Sequence, residues 1–256
     1  MKIIDKKNIL YFLILINLKS ALSSENINKF KVEANKSIEY FEKQKIYVAS
    51  GNAIASKGNL SVKAEKITAY MSKTKHSNIS EIEASGNVII INQNTRAKSD
   101  FARYNFKKKF IVLKGNTLSI QSKKFKIQSK KIITFDDINK IASSEGDVKL
   151  LLNGPVTIFS HRINANFDKK NNALISAFAR GNVKIKTKSE TVTCNFAKYN
   201  NKTNLISLKG NVVIKSEKSV LTGEKGYMNL ITRKSKIESS ESKRVKGVFS
   251  AINNED

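Results

Sequence analysis

From Lys31 to about Glu238 the chain alternates apolar and polar residues with a period of two. The clearest stretch is LISLKGNVVIK, Leu205 to Lys215, where Ile206, Leu208, Val212 and Ile214 share one face and polar residues mostly occupy the other. That period belongs to strands with one buried face. The same face recurs as Val88 and Ile90, Ile111 and Leu113, Val148 and Leu150, and Val183 and Ile185, and more weakly as Ala53 and Ala55. GNTLSI departs from it, placing Leu118 and Ile120 on the opposite parity.

Gly-Asn or Gly-Asp interrupts these stretches at Gly51, Gly86, Gly115, Gly146, Gly181 and Gly210, with spacings of 35, 29, 31, 35 and 29. Glycine within a strand weakens it unless the backbone must bend, so a recurring Gly-Asn predicts a bulge or corner in each unit. The comb itself repeats: Phe101 to Asn116 and Phe196 to Asn211, offset by 95, agree at 10 of 16 positions. Three units of about 32 residues therefore form a super-unit that occurs twice, the mark of a repeat architecture.

A second column accompanies the glycines. Ala64, Ser99, Ser129, Ser160, Cys194 and Gly223 are small, and three residues later come Ile67, Ala102, Ile132, Ile163, Ala197 and Gly226. A step of three within a period of two implies a second interruption of the pleat. Cys194, the only cysteine, fills a slot otherwise held by Ala, Ser and Gly, which points to a role set by size. The polar segments Asn92 to Thr95, Phe106 to Lys109, Asp136 to Asn139, Asp168 to Asn172, Thr187 to Glu190 and Asn200 to Asn204 are short enough for hairpins. None holds a crossover helix, so the strands are antiparallel, thirteen or more in one body.

Charge adds a possible partner class. There are 47 Lys and Arg against 21 Asp and Glu, a net charge of +26, which suits phosphate-bearing partners. Lysine on strand edges also guards against edge-to-edge aggregation. Lys2, Lys6 and Lys7 precede the apolar run Ile9 to Leu18 and the small-x-small site Ala21-Leu22-Ser23, so residues 1–23 read as a cleavable export signal. Residues 24–238 are expected to form one β domain, and residues 239–256 a flexible tail apart from a short VKGVF segment. Only two histidines are present, His76 and His161, and neither has a carboxylate or second histidine at ligand spacing. A triad or a metal site is therefore disfavoured, and no enzyme activity and no cofactor are expected.

VEANKSIEYF at Val32, ASGNAIAS at Ala49, SVKAEKITAYM at Ser61, EASGNVIII at Glu83, LTGEKGYMNL at Leu221 and RVKGVF at Arg244, in this order behind an export signal, resemble the LptA/OstA-like periplasmic lipopolysaccharide-transport family. The resemblance covers about Lys31 to Phe249. It implies an all-β fold, a single open antiparallel β-jellyroll of about six two-strand repeats. It implies lipid A acyl chains in an apolar groove, here lined by Val88, Ile90, Ile111, Leu113, Val148, Leu150, Val183, Ile185, Ile206, Leu208, Val212 and Ile214. It also implies head-to-tail assembly through unpaired end strands. The expected edges are Val32, Ala34, Ile38 and Tyr40 at one end and Tyr227, Met228, Leu230 and Ile231 at the other. The implied partners are lipopolysaccharide, inner-membrane LptC-like and outer-membrane LptD-like proteins, in the periplasm. Three departures are the high basic charge, Gly226, where a larger residue is expected, and a 95-residue duplication clearer than the family pattern requires. Other readings are a membrane-anchored LptC-like component, a basic nucleic-acid binder, or a purely structural β-repeat protein. The scarcity of arginine and the tyrosines in core-like columns argue against the nucleic-acid reading.

Overall fold

The computed structural model describes residues 30–72, 79–123, 125–152, 156–239 and 244–250. The export signal expected at 1–23 and His76 lie outside these residues. The strands are β1 (Lys31–Glu33), β2 (Ser37–Phe41), β3 (Ile46–Lys57), β4 (Leu60–Met71), β5 (Ile79–Asn92), β6 (Thr95–Asn105), β7 (Phe110–Lys114), β8 (Leu118–Gln121) and β9 (Phe125–Ser129). They continue as β10 (Ile132–Asp136), β11 (Ile141–Leu152), β12 (Thr157–Phe167), β13 (Leu174–Lys186), β14 (Glu190–Asn200), β15 (Leu205–Ser216), β16 (Ser219–Asn229), β17 (Ser235–Glu238) and β18 (Lys246–Phe249). All 18 belong to one sheet, and every pairing is antiparallel. The fold is all-β and jellyroll-like, as the family resemblance implies, and its antiparallel strands are those the alternation implies.

Each Gly-Asn is a corner. Between β4 and β5 the register passes from Lys66↔Ser85 to Lys63↔Ile89, so Gly86, Asn87 and Val88 oppose Ala64 and Glu65, one residue more than their partners. Gly86 takes φ 77° and Asn87 φ 50°, and a Cβ on Gly86 would lie 2.8 Å from the Cβ of Glu65. Only glycine fits both the backbone angle and the close approach at low cost. The same register shift appears at Ser50/Ala53, Glu145/Val148, Arg180/Val183 and Lys209/Val212. The corners fold the sheet along a crease. Inward residues on both sides of it, such as Ala49 with Ala55 and Leu208 with Ile214, share one apolar cluster.

The corner at Gly115 differs. Here Gly115, Asn116 and Thr117 together face Asp100, and the strand divides into β7 and β8. The extra Thr117 restores Leu118 and Ile120 to the inward face, 0% and 8% exposed, so their reversed parity in sequence is absorbed at the crease. The next strand carries a matching extra residue: Lys130 and Lys131 separate β9 from β10, and Ile133 rather than Ile132 points inward, 6% exposed. The step from Ser129 is thus four, correcting the expected step of three at that unit.

Hairpin tips repeat as well. Asp136 Oδ1 accepts the N–H groups of Ile138 at 3.0 Å and Asn139 at 2.9 Å, and Asn229 Oδ1 does the same for Ile231 and Thr232. Four residues after the accepting side chain, Lys109, Lys140, Asn172, Asn204 and Arg233 all have positive φ, completing one four-residue turn at successive units. The hairpin expected at Asp136 to Asn139 is closed by this turn.

Candidate functional site

Eleven of the twelve residues expected to line a groove are buried: Val88, Ile90, Leu113, Val148, Leu150, Val183, Ile185, Ile206, Leu208, Val212 and Ile214. Ile111 is half-buried and touches both apolar clusters. The inward face is therefore shared as the parity predicts, but over most of its length the two sides of the crease pack directly on each other. An opening occurs at the seam between the two super-units. Phe135, Ala142, Ala165 and Phe167 form a cluster separate from the main one. Between the two clusters lies a small apolar cleft of about 40 Å³, partly open to solvent, walled by Ile120, Phe125 and Ile127 on one side and Ile133, Phe135 and Ile163 on the other. None of the twelve expected residues lines it. Of the sequence signals that mark it, only the parity slip at Ile120 is read in the alternation, with no opening inferred from it; the aromatics Phe125 and Phe135 are missed. Ser144, 2% exposed, also faces this cleft, and its Oγ has no hydrogen-bond partner.

The small column does more than save space. Ser160 Oγ donates to the carbonyl of Arg162 at 3.1 Å, and Cys194 Sγ donates to the carbonyl of Phe196 at 3.3 Å. These carbonyls sit where the crease interrupts the ladder, and the hydroxyl or thiol gives each of them a donor there. Burial pushes the Cys194 thiol up to about 11, against the bonds from the Phe196 and Lys209 backbone, so it carries no thiolate at neutral pH. His161 is exposed beside Gly181, on the outer face. Among the described residues no three His, Cys, Asp or Glu side chains cluster to hold a metal.

The two ends of the sheet differ. At the N-terminal end, β1 and β2 pair with β3 only, and Val32, Ile38 and Tyr40 are 39%, 54% and 46% exposed, with Ala34 half-buried and Tyr40 stacked on Tyr47 at 4.4 Å. These residues lie on the outermost described strands of the N-terminal end. At the other end a correction is needed. Tyr227 and Met228 lie on β16, which pairs with β15 on one side and with Lys236 and Ser235 of β17 on the other. Leu230 and Ile231 form the β16–β17 tip. The outermost strands are β17 and β18, the latter on Ser219–Thr222 with Val248 69% and Phe249 70% exposed. Gly226 explains why the edge moved: a Cβ there would meet the Lys236 carbonyl at 2.6 Å, and one on Gly223 would collide with Ile237. The missing side chains make room for Ile237, which packs on the main cluster.

Comparison with known proteins agrees with this construction. The family described as LptA/(LptD N-terminal domain) LPS transport protein matches twice, at residues 31–137 and 126–234. The two matches follow the 95-residue repeat and meet at the seam. Among solved structures the chain is similar to LptH, the LptA homologous periplasmic component of the conserved lipopolysaccharide transport device from Pseudomonas aeruginosa. Identity is 12%, with 90% of this chain and 100% of that chain covered at a TM-score of 0.23, a likeness too remote to carry an argument. A search of curated proteins finds no match. With the family matching across both super-units, the chain belongs to the LptA/(LptD N-terminal domain) LPS transport protein family.

Proposed function

We propose that this chain is a periplasmic carrier of lipopolysaccharide between inner and outer membrane, holding acyl chains between the two sides of the crease. The observation that carries this reading is an apolar interior continuous through both super-units that opens at the seam beside Phe125 and Phe135. Burial of acyl methylenes contributes about 0.8 kcal/mol each, so even a partly inserted chain is held firmly. The packed stretches on either side are then entered by separation of the two layers, and the basic hairpin tips, with Lys107, Lys108, Lys169 and Lys202, are suited to lipid A phosphates. End-to-end joining, with itself or with LptC-like and LptD-like partners, uses the β1–β2 edge and the β17–β18 edge, because each leaves a row of backbone groups unpaired. The nucleic-acid reading has no support in the geometry of the interior.

Lipids extracted from the protein isolated from its own envelope and weighed by mass spectrometry test the carrier reading. Lipid A species at near-stoichiometric amount are expected. Phospholipid alone, or no lipid, contradicts it.

A further inference from the structure

The two super-units present different outer faces. In the first, Arg103 is neutralised across the strand by Glu83, with a bond from Nε of 2.7 Å, and approaches Glu81 at 3.5 Å. Ninety-five residues on, Lys198 stands in the place of Arg103, Phe178 in that of Glu83, Ser176 in that of Glu81 and Asn195 in that of Asp100. The repeat has kept the cation and lost its acids. Cations then oppose cations across the ladder: Arg162↔Arg180 and Lys209↔Lys225. Like charges directly opposite are unfavourable; Arg162 has Glu145 and Lys225 has Glu238 opposite on the other side, whereas Arg180 and Lys209 both face Phe196, so these two are the cations left for an external anion. This face is bounded by Glu145, which binds Lys131 and Arg162, and by Glu238, which binds Lys236.

We propose that the outer face of β12–β16 docks on an anionic phospholipid bilayer, independently of what the groove carries. Charge complementarity is one argument, since each Lys or Arg near an anionic leaflet contributes about 1 kcal/mol. The aromatic residues are the other. Phe178, Phe196 and Tyr227 lie half-buried among exposed Arg180, Lys198, Lys209 and Lys225, the mixture of rings and snorkelling cations suited to a headgroup layer. A nucleic acid fits less well. Lys198 Nζ covers the Phe178 ring at 5.2 Å and Lys236 Nζ covers Tyr227 at 5.9 Å, so the faces on which bases would stack are occupied.

The test is cosedimentation of the full chain with phosphatidylcholine vesicles, with and without an equal part of phosphatidylglycerol. Binding only to the anionic vesicles is expected. Giving the second face the residues of the first, Phe178→Glu with Arg180→Ser, should weaken it about 30-fold, two charges at about 1 kcal/mol each. The exposed pair Lys209→Ser with Lys225→Ser should do the same without touching a buried group. The matched control on the first super-unit, Lys66→Ser with Ser85→Glu, changes net charge equally and should leave binding within a few-fold. Equal losses in the control and the second-face variants would overturn the proposal. So would equal binding to neutral vesicles, or preference for an oligothymidylate over anionic vesicles at the same phosphate concentration.

Discussion

Strands β7–β8 and β15 read almost alike, FIVLKGN against LISLKGN, yet one is broken at the crease and the other is continuous. The reason lies in their successors. β15 is followed by β16, which gives the crease one residue, Glu224, opposite Gly210 and Asn211. β7–β8 is followed by β9–β10, which gives two, Lys130 and Lys131, so a third residue, Thr117, is needed opposite them. β1–β2 also carries two at its corner, Asn35 and Lys36, and Asn35 N–H donates to the Gly51 carbonyl at 2.7 Å as Lys130 N–H does to Gly146 at 2.6 Å. The first strand of each family match thus has the same wide corner. At the N-terminal end it meets no preceding strand among the described residues; in the middle it faces an insertion in its neighbour, and the apolar cleft lies there. The joint between the two repeats is thus a place where the interior opens.

The largest effect should come from attacking a regular corner. Gly86→Ala must hold φ 77° against the Glu65 side chain and should cost about 3 kcal/mol by urea denaturation, from left-handed strain and forced displacement together. A loss under 1 kcal/mol would mean that the crease is not fixed by glycine.

Next in size is the coupling between the two insertions. Deleting Thr117 alone, or Lys130 alone, leaves mismatched corners and should cost about 2 kcal/mol each, whereas the double deletion should recover at least half of the sum. It should also narrow the cleft, read as reduced uptake of an apolar dye. Strict additivity would break the account of the seam.

A smaller contrast is expected along the column. Cys194→Ala takes that donor from the Phe196 carbonyl and should cost about 1 kcal/mol, while Cys194→Ser, which copies Ser160, should be nearly neutral. Ser144→Ala removes a hydroxyl without a partner and should be neutral or stabilising. Because the thiol is raised in the folded state, its contribution is complete below its ordinary value of about 9 and is lost as pH rises towards about 11.

The smallest effect lies at the tips. Backbone N–H groups of Asn171 and Lys170 hold the Asp168 carboxyl below its usual range, and that of Asn139 does so for Asp136. The depressed values place this stabilisation above the ordinary carboxylate pKa and remove it as pH falls through the folded-state value. Melting curves of Asp168→Ala and the unaltered chain should differ slightly at neutral pH and converge in strong acid.

The alternation, the Gly-Asn comb and the polar tips made the strands, corners and hairpins legible, because each follows from local backbone chemistry. The groove list was legible as a face but not as an opening. Parity tells which side chains point inward, whereas separation of the two layers depends on residue counts in neighbouring corners. The C-terminal edge was misplaced at Tyr227 to Ile231 because KIE and VKGVF are short and weakly alternating. Only the pairing of Gly226 with Ile237 reveals that another strand docks on β16.

The central claim is that the interior takes up lipopolysaccharide at the seam. A photo-crosslinking amino acid placed in turn at Phe135, Ile185 and Lys184, with lipopolysaccharide added to the folded chain, tests it most directly. Phe135 at the cleft should label most strongly, Ile185 in the packed interior should label more weakly, and Lys184 on the outer face should not label. Equal labelling at Lys184 and Phe135 would contradict the account.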